Sequence, residues 1–237
     1  MRSFVIAKRE LSSYFYSPVA YVAMTLFLLV AGFLFRYYDF VPGQPVEMRH
    51  TFESMLWLMV IIIPMLGMGL IAQEWASGTI ETMMTAPVSE TDVVLGKFLG
   101  SLGFIVFLLI PTIFYVLLLR LYGRPDYGPI ISGYLGLLLV GALFISVTLM
   151  FSSMTRIQVV AAALSVTALA LLTVLPWAAS TFSLSGFFRD ILDQLVFARY
   201  VAFTDGSIST GNLIFFIVST AVFLFVTVKV LEWNRWK

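Results

Sequence analysis

The chain has 237 residues, of which 60% are hydrophobic and only 11% are charged. Soluble domains average about 45–50% apolar and about 25% charged residues, and a soluble fold could not remove this much apolar surface from water. The composition therefore excludes a soluble protein and predicts an integral membrane protein. The formal net charge of +1 indicates nothing about nucleic acid, and we expect no nucleic-acid partner.

Residue types that carry catalysis or bind metals are scarce. The chain contains no cysteine and a single histidine, His50. These counts exclude disulfides, thiol nucleophiles, thiolate metal sites and clusters of several histidines, and His50 is interpreted as an ordinary loop residue. The sequence also lacks a phosphate-binding loop, a zinc-protease motif and a serine-hydrolase motif. We therefore predict that the chain is not an enzyme and holds no cofactor, so any ATP must bind another chain.

Residues 1–17 predict a helix that lies in the membrane interface. Apolar side chains share one side of its helical wheel, whereas Arg9 and Ser12 lie elsewhere, as expected for an interfacial helix. The apolar side consists of Phe4, Ala7, Leu11, Tyr14 and Phe15. Pro18 separates this helix from the first hydrophobic run.

Six hydrophobic runs are long enough to cross a bilayer, which needs about 20 apolar residues per helix. The predicted spans are Val19–Phe35, Met55–Ala72, Phe98–Leu121, Ile131–Phe151, Val159–Ala178 and Leu213–Leu231. Pro64 and Pro111 are expected to kink their spans, because proline lacks the N–H of a helical hydrogen bond. The span cores contain no Asp, Glu, Lys, Arg or His, which argues against a transporter that relays protons through charged side chains.

Basic residues indicate how the spans are oriented. With six spans both chain ends lie on one side, and that side collects eight of the 14 basic residues, including all the lysines. Because basic residues are enriched on the cytoplasmic side, we predict that both termini are cytoplasmic. The predicted outer connections are Arg36–Ser54, Tyr122–Ile130 and Ala179–Asn212.

The polar stretch Gln73–Lys97 connects the second and third spans and is predicted to hold a short amphipathic helix. The apolar residues at helical spacing on one side of it are Ile80, Met83 and Met84. Pro87 ends this helix, and the capping-box pattern Ser89-x-x-Asp92 begins a longer one that enters the membrane. Such a helix can dock a soluble partner in a groove, or the stretch can be a solvated connector between two spans.

Several residues of this stretch match a family pattern. They are Glu74, Gly78, Thr79, Ile80, Glu81, Met84, Pro87, Val88, Ser89, Gly96 and Lys97. In this pattern the chain resembles the first cytoplasmic loop of ABC-2-type transporter permeases. Phe203-x-x-Gly206-x-Ile208 followed by Asn212-Leu-Ile-Phe-Phe is most similar to the gliding-motility-associated permeases of that family.

The resemblance implies an all-α integral membrane protein with six transmembrane helices, in which residues 1–237 form one permease domain. Its parts would be the interfacial helix 1–17, a cytoplasmic coupling loop at 73–97 and an outer segment at 179–212. It implies the permease subunit of an ATP-driven exporter in the bacterial inner membrane. The cargo would be an amphipathic or apolar lipid, glycan, peptide or drug.

The resemblance also implies partners. They are a cytoplasmic ABC ATPase that holds ATP and Mg, a second permease protomer and membrane lipid, and a periplasmic auxiliary subunit is left open. We predict that the ATPase docks on Glu74, Thr79, Ile80, Glu81, Met83, Met84 and Pro87. Ile80, Met83 and Met84 would form the buried anchor, and Glu74 and Glu81 would meet basic groups at the rim.

The outer segment before the last span is predicted to hold an amphipathic helix near residues 187–196 that closes the export path. The apolar residues at helical spacing are Phe188, Ile191, Leu192 and Leu195. A simple hairpin loop is the alternative, although a loop would not need this periodicity.

Two other functions are open at this point. The chain could be a membrane scaffold that transmits ATPase motion to a periplasmic partner without transport. It could also be a secondary carrier that has no ATPase. Co-purification of a nucleotide-binding chain would separate the carrier from the exporter and the scaffold, and substrate-stimulated ATPase activity would separate the exporter from the scaffold.

Overall fold

The computed structural model describes residues 2–40, 47–78, 89–181, 192 and 194–235. In these ranges the chain forms helices and short turns, which confirms the predicted all-α fold. The helices are α1 (Arg2–Tyr16), α2 (Pro18–Leu34), α3 (Arg49–Gly67), α4 (Ala72–Ser77), α5 (Glu90–Leu109), α6 (Ile113–Tyr122), α7 (Tyr127–Met154), α8 (Gln158–Thr181), α9 (Val196–Thr204) and α10 (Thr210–Arg235). A π-helical turn, Phe35–Asp39, extends α2, and a 3-10 turn, Ile110–Thr112, joins α5 to α6.

The six predicted membrane spans are confirmed within the described ranges. The stretches long and apolar enough to cross a membrane are Pro18–Asp39, Arg49–Ser77, Glu90–Tyr122, Tyr127–Met154, Gln158–Ala178 and Thr210–Asn234. Each stretch encloses one predicted run. Pro111 lies in the 3-10 turn that interrupts the third span, whereas Pro64 lies inside α3, which continues to Gly67.

The core of the bundle lies around α7, which packs against α3, α5, α8, α9 and α10. The apolar stretch of α7 has 67% of its residues buried, whereas that of the last span has 11%. Helix α7 is therefore surrounded by protein, while α10 leaves most of its surface uncovered. Leu137, Val140 and Phe144 of α7 are fully buried. We call the end of the bundle that carries α1 and α4 the α4 end and the opposite one the α9 end.

Two small-residue patterns allow close helix contacts. A Cβ atom at Gly96 would lie 2.6 Å from the Cβ of Ile6, so this glycine lets α1 approach α5. At the α9 end, a Cβ atom at Gly136 would lie 2.9 Å from the Cβ of Phe203, so α9 approaches α7 there. The patterns Gly96-x-x-x-Gly100 and Ser132-x-x-x-Gly136 therefore mark real contacts, as small residues do between membrane helices.

The first turn of α3 is capped by a side chain from the end of the first span. The Asp39 carboxylate is 6% exposed and accepts a hydrogen bond of 2.7 Å from the Thr51 N–H, while His50 Nδ1 lies 3.0 Å from it. A carboxylate at a helix N-terminus satisfies free N–H groups and complements the helix dipole. The interpretation of His50 as an ordinary loop residue is therefore wrong, because it lies in α3 and packs against Asp39.

In the outer segment the described helix is α9. Tyr200 and Phe203 are fully buried, the Tyr200 hydroxyl donates to the Phe52 carbonyl over 2.9 Å, and the Ser132 hydroxyl donates to the Phe203 carbonyl over 2.7 Å. These bonds anchor α9 between the first turns of α3 and α7. The sequence did not predict this helix.

The predicted helix near 187–196 falls mostly outside the described residues, including its Phe188 and Ile191. Leu192 and Leu195 are described, and Leu195 has an extended backbone that caps the beginning of α9. The prediction of a helix near residues 187–196 is therefore wrong at its C-terminal end, because that helix cannot continue through Leu195 into Val196. Closure of an export path by this segment stays a prediction.

Candidate functional site

The candidate site comprises the elements that flank residues 79–88 at the α4 end. Six of the predicted docking residues lie in 79–88, outside the described residues: Thr79, Ile80, Glu81, Met83, Met84 and Pro87. Glu74 is described and belongs to α4, which precedes this segment, and α5 follows it. The described geometry therefore shows how the two flanking helices are held, and the docking surface itself stays a prediction.

The turn that leads into α4 is fixed by Ser152 of α7. Its hydroxyl oxygen accepts hydrogen bonds from the N–H groups of Ile71 (3.1 Å) and Ala72 (3.0 Å). Its O–H donates to the Met68 carbonyl over 2.9 Å. All of this lies in the interior, because Ser152 and Ala72 are fully buried. The first N–H groups of a helix lack partners within it, so Ser152 acts as a capping side chain supplied by a neighbouring helix.

We expect Ser152→Ala to lower the free energy of unfolding by about 1–3 kcal/mol, because two buried N–H groups would lose their acceptor. Ser153→Ala is the matched control, since Ser153 is equally buried but donates only to the Met150 carbonyl of its own helix, over 2.7 Å. Thermal unfolding of both variants measures the difference. Equal unfolding temperatures for the two variants would contradict the capping role.

The far end of α4 and the beginning of α5 have their own caps. Gly78 adopts φ +71°, a left-handed conformation that glycine accepts without cost and that commonly ends a helix. Across residues 79–88, the Ser89 hydroxyl accepts the Asp92 N–H over 3.1 Å and donates to the Asp92 carboxylate over 2.8 Å. The predicted helix start with Ser89 as its N-cap is therefore confirmed. Ser3 of α1 also donates to this carboxylate, over 2.6 Å.

A buried ion cluster joins α1, α4 and α5. Lys97 Nζ of α5 lies 2.8 Å from Glu74 Oε1 of α4 and 3.3 Å from Glu10 Oε2 of α1. The Lys97 side chain is 3% exposed, and those of Glu10 and Glu74 are 14% and 16% exposed. Arg9, which is largely exposed, lies 4.0 Å from Glu74. Charges removed from water need partners, so these contacts fix the three helices relative to one another.

The cluster gives two residues of the predicted loop contacts that the sequence did not predict. Glu74 was expected to meet basic groups of an ATPase at the rim, but its carboxylate faces Lys97 within the same chain. Its other oxygen, Oε2, is buried and has no hydrogen-bond partner among the described residues. Lys97 was placed at the end of the cytoplasmic connection, and the structure shows that it is buried two turns inside α5. Glu10 was not predicted to have any role.

The contact between α1 and α5 continues beyond the cluster. The Ser101 hydroxyl donates to the Lys97 carbonyl over 2.9 Å, which leaves its lone pairs to accept the Tyr14 hydroxyl at 3.0 Å. The Tyr14 ring stacks on Phe104 with centroids 4.8 Å apart. Burial raises the pKa of Tyr14 well above its usual value, so the hydroxyl keeps its proton and donates. Helix α1 is therefore packed along α5. Among the residues of its predicted apolar side, Phe4 remains 73% exposed.

The contacts of the described residues connect α4 to the helices around it. Among the described residues no group of three or more His, Cys, Asp or Glu could hold a metal ion. Lys97, Glu10 and Glu74 pair with one another at this end. A displacement of α4 would reach α5 and α1 through Lys97, and the body of the bundle through Ser152.

Comparison with known proteins agrees with this architecture. A search of curated proteins found no match. The family described as ABC-2 family transporter protein matches residues 4–187, which is most of the chain and includes α1, α4, α5 and the segment between α4 and α5. The match therefore covers the helices joined by the ion cluster as well as the first five spans. On this basis the chain belongs to the ABC-2 family of transporter proteins.

Proposed function

We propose that this permease is the membrane subunit of an ATP-driven exporter and that a separate cytoplasmic ABC ATPase docks on residues 79–88. The family match supports a transporter permease. The observation that carries the coupling role is the Lys97 cluster, which ties α4 to α5 directly on either side of this segment. A partner that pushed on the segment would therefore move both helices together.

The path of the motion follows from the packing. α4 is held to the end of α7 by Ser152, and α5 continues through the 3-10 turn at Pro111 into α6. The break at Pro111 lacks a regular α-helical hydrogen bond, so it is the place where the third span can bend. Motion at the α4 end would thus change the tilt of α5 relative to α6.

The remaining parts of the proposal concern the assembly. We place the protein in the bacterial inner membrane with both termini and the α4 end in the cytoplasm, a placement supported by the distribution of lysines. ATP and Mg would bind the ATPase, and a second permease protomer would complete the membrane part. The cargo would be amphipathic or apolar, because the span centres carry no charge.

The finer family assignment stays a prediction. The family match ends at residue 187, whereas the resemblance to gliding-motility-associated permeases rests on Phe203–Phe216. A periplasmic auxiliary subunit likewise stays an open prediction.

The docking proposal is tested by pulling down the ATPase with the permease. We expect the double substitution Met83→Asp and Met84→Asp to release the ATPase, because each change would require a carboxylate to be desolvated in the groove. Buried anchors of this kind contribute ~2 kcal/mol or more each. Glu81→Ala should weaken the complex less, and less still at high salt, because rim charges are screened.

The pull-down needs a folding control and has a clear contrary outcome. Membrane insertion and the thermal unfolding temperature of the double variant should match those of the wild type. If the variant folds and still retains the ATPase at wild-type levels, residues 79–88 are not the docking site. If no nucleotide-binding chain co-purifies with the wild type, the protein is a carrier that works without an ATPase.

A further inference from the structure

A second feature of the α4 end is a pocket between the ends of four spans. Its volume is about 250 Å³. It is lined by Trp75 of α4, by Ser153 and Met154 at the end of α7, by Thr155 and Arg156 of the α7–α8 connection, and by Asn234 of α10. The pocket therefore lies at the level where the spans leave the membrane. It is separate from the Lys97 cluster, which faces α1 and α5.

The pocket offers hydrogen-bond donors from three of its lining residues. Arg156, Asn234 and Thr155 contribute N–H or O–H groups, and no acidic side chain is among its lining residues. The nearby carboxylates have partners of their own, since Glu74 pairs with Lys97 at 2.8 Å and Glu232 pairs with Lys229 at 2.6 Å. The pocket is therefore electropositive, with a formal charge of +1 from its only charged lining residue.

Arg156 is held in position without being neutralised. Its guanidinium carbon lies 5.7 Å from the centre of the Trp75 ring, within the range of a cation–π contact. In the part of the chain that the structure describes, Arg156 forms no ion pair within 4.0 Å. An exposed arginine stacked in this way keeps its planar set of donors free, and that set matches the oxygens of a phosphate group.

Two further observations fit an anionic ligand. The Trp75 indole N–H is buried and has no acceptor among the described residues, although buried indole N–H groups normally find one. The α7–α8 connection also leads directly into the N-terminus of α8, a helix from Gln158 to Thr181, and the positive end of its dipole favours negative charge nearby.

From this geometry we propose that the pocket binds a phosphate group, with the phosphate of an anionic membrane lipid as its main source. Basic pockets between transmembrane helices at the membrane surface bind lipid head groups in this manner. The exposed apolar side chains beside the pocket, Met154 (51% exposed) and Ile157 (60% exposed), would lie against the acyl chains. Arg156 would hold the phosphate oxygens, and the Asn234 amide would donate from the other side.

The proposal is tested on the purified full-length permease by native mass spectrometry. The probes are phosphatidylglycerol and diacylglycerol with identical acyl chains, which differ in the phosphate head group. We expect phosphatidylglycerol to bind roughly tenfold more tightly than diacylglycerol, the factor expected from one charge-assisted hydrogen bond. Arg156→Gln and Asn234→Leu should each remove most of this preference, and Trp75→Phe, which puts a smaller aromatic ring without an N–H in place of the indole, should reduce it.

Arg124→Gln is the matched control, because it removes one exposed arginine near the opposite, α9 end of the bundle. It should leave the preference for phosphatidylglycerol unchanged. Competition by inorganic phosphate at millimolar concentration would show that the pocket takes soluble phosphate compounds as well as, or instead of, lipid. Equal binding of the two lipids to the wild type, or an unchanged preference in folded Arg156→Gln, would overturn the proposal.

Discussion

Replacing Lys97 with methionine is expected to lower the free energy of unfolding by about 3–5 kcal/mol, the range for removing one partner of a buried ion pair. Lys97 is 3% exposed and is the cation that faces both Glu10 and Glu74. Methionine has a similar length, so the variant removes the charge with little change in packing. Two carboxylates would then face each other in a buried site where Arg9, at 4.0 Å from Glu74, is the remaining cation in contact.

Two controls test whether the loss of stability comes from the unpaired carboxylates of the cluster or would follow from the removal of any lysine. Lys229→Met removes a lysine whose side chain is 55% exposed and whose partner is Glu232, so it should change stability by less than about 1 kcal/mol. Combining Lys97→Met with Glu10→Gln and Glu74→Gln removes the charges on both sides. This triple variant should recover much of the lost stability, because no unpaired carboxylate of Glu10 or Glu74 remains in it. The effects of substitutions at residues in contact therefore do not add.

Thermal unfolding in detergent of the single, control and triple variants provides the measurement. Two results would contradict the role of the cluster: the same unfolding temperature for Lys97→Met and Lys229→Met, or a triple variant less stable than Lys97→Met alone. Either would mean that the contacts contribute no more than exposed ion pairs do. The test concerns the chain itself and does not depend on the ATPase.

The helical architecture could be predicted from the sequence, because lipid imposes a simple requirement on it. Every backbone polar group in the bilayer must be paired within a helix, so each run of about 20 apolar residues becomes a span. This explains why each predicted run lies inside an observed one. The Ser89-x-x-Asp92 cap was also predictable, since both of its hydrogen bonds are local.

The ion cluster could not be predicted from local patterns, because its members are separated by long stretches of chain. Glu10, Glu74 and Lys97 meet through packing of α1 and α4 against α5, and no spacing rule brings them together. One signal was present: the cap at Ser89 places Lys97 two turns inside a helix that enters the membrane. A lysine at that depth needs a carboxylate partner, and the acidic residues nearest the spans were the candidates.

The same reasoning explains why Ser152 and α9 were missed. A serine inside an apolar span looks like an ordinary small residue, and only the packing of α7 against the end of α3 reveals its three hydrogen bonds. Helix α9 has only nine residues, and its buried residues Val196, Tyr200 and Phe203 share the side that faces its neighbours α3, α7 and α8. This spacing was a helical signal in the sequence, but the predicted helix was placed on the apolar pattern just before it.

Substituting Gly100 with leucine is expected to separate α1 from α5. A Cβ atom at this position would lie 2.7 Å from the Glu10 Cβ and 2.8 Å from the Ala7 carbonyl oxygen, and neither a backbone oxygen nor a Cβ can move without its helix. Overpacking of a well-packed contact typically costs about 1–3 kcal/mol. Moving Glu10 would also lengthen its contact with Lys97, so the total loss of stability should reach the upper part of that range or exceed it.

The displacement can be measured separately from unfolding. Ser3 and Asp92 face each other across α1 and α5, with the hydroxyl 2.6 Å from the carboxylate. Because the natural chain has no cysteine, the pair Ser3→Cys and Asp92→Cys would provide a single cross-link between the two helices. Gly100→Leu should reduce its yield several-fold under mild oxidation.

Gly103→Leu is the matched control for this experiment. A Cβ atom there would meet only the ends of the Leu11 side chain, at 3.5 Å, which is ordinary contact with a group that can rotate away. This variant should keep both the cross-link and most of the stability. If Gly100→Leu retained the cross-link and unfolded at the same temperature as Gly103→Leu, α1 would not be held against α5 by the glycine face. The contact between α1 and α5 would then depend on the Glu10–Lys97 ion pair and the Tyr14–Ser101 hydrogen bond instead.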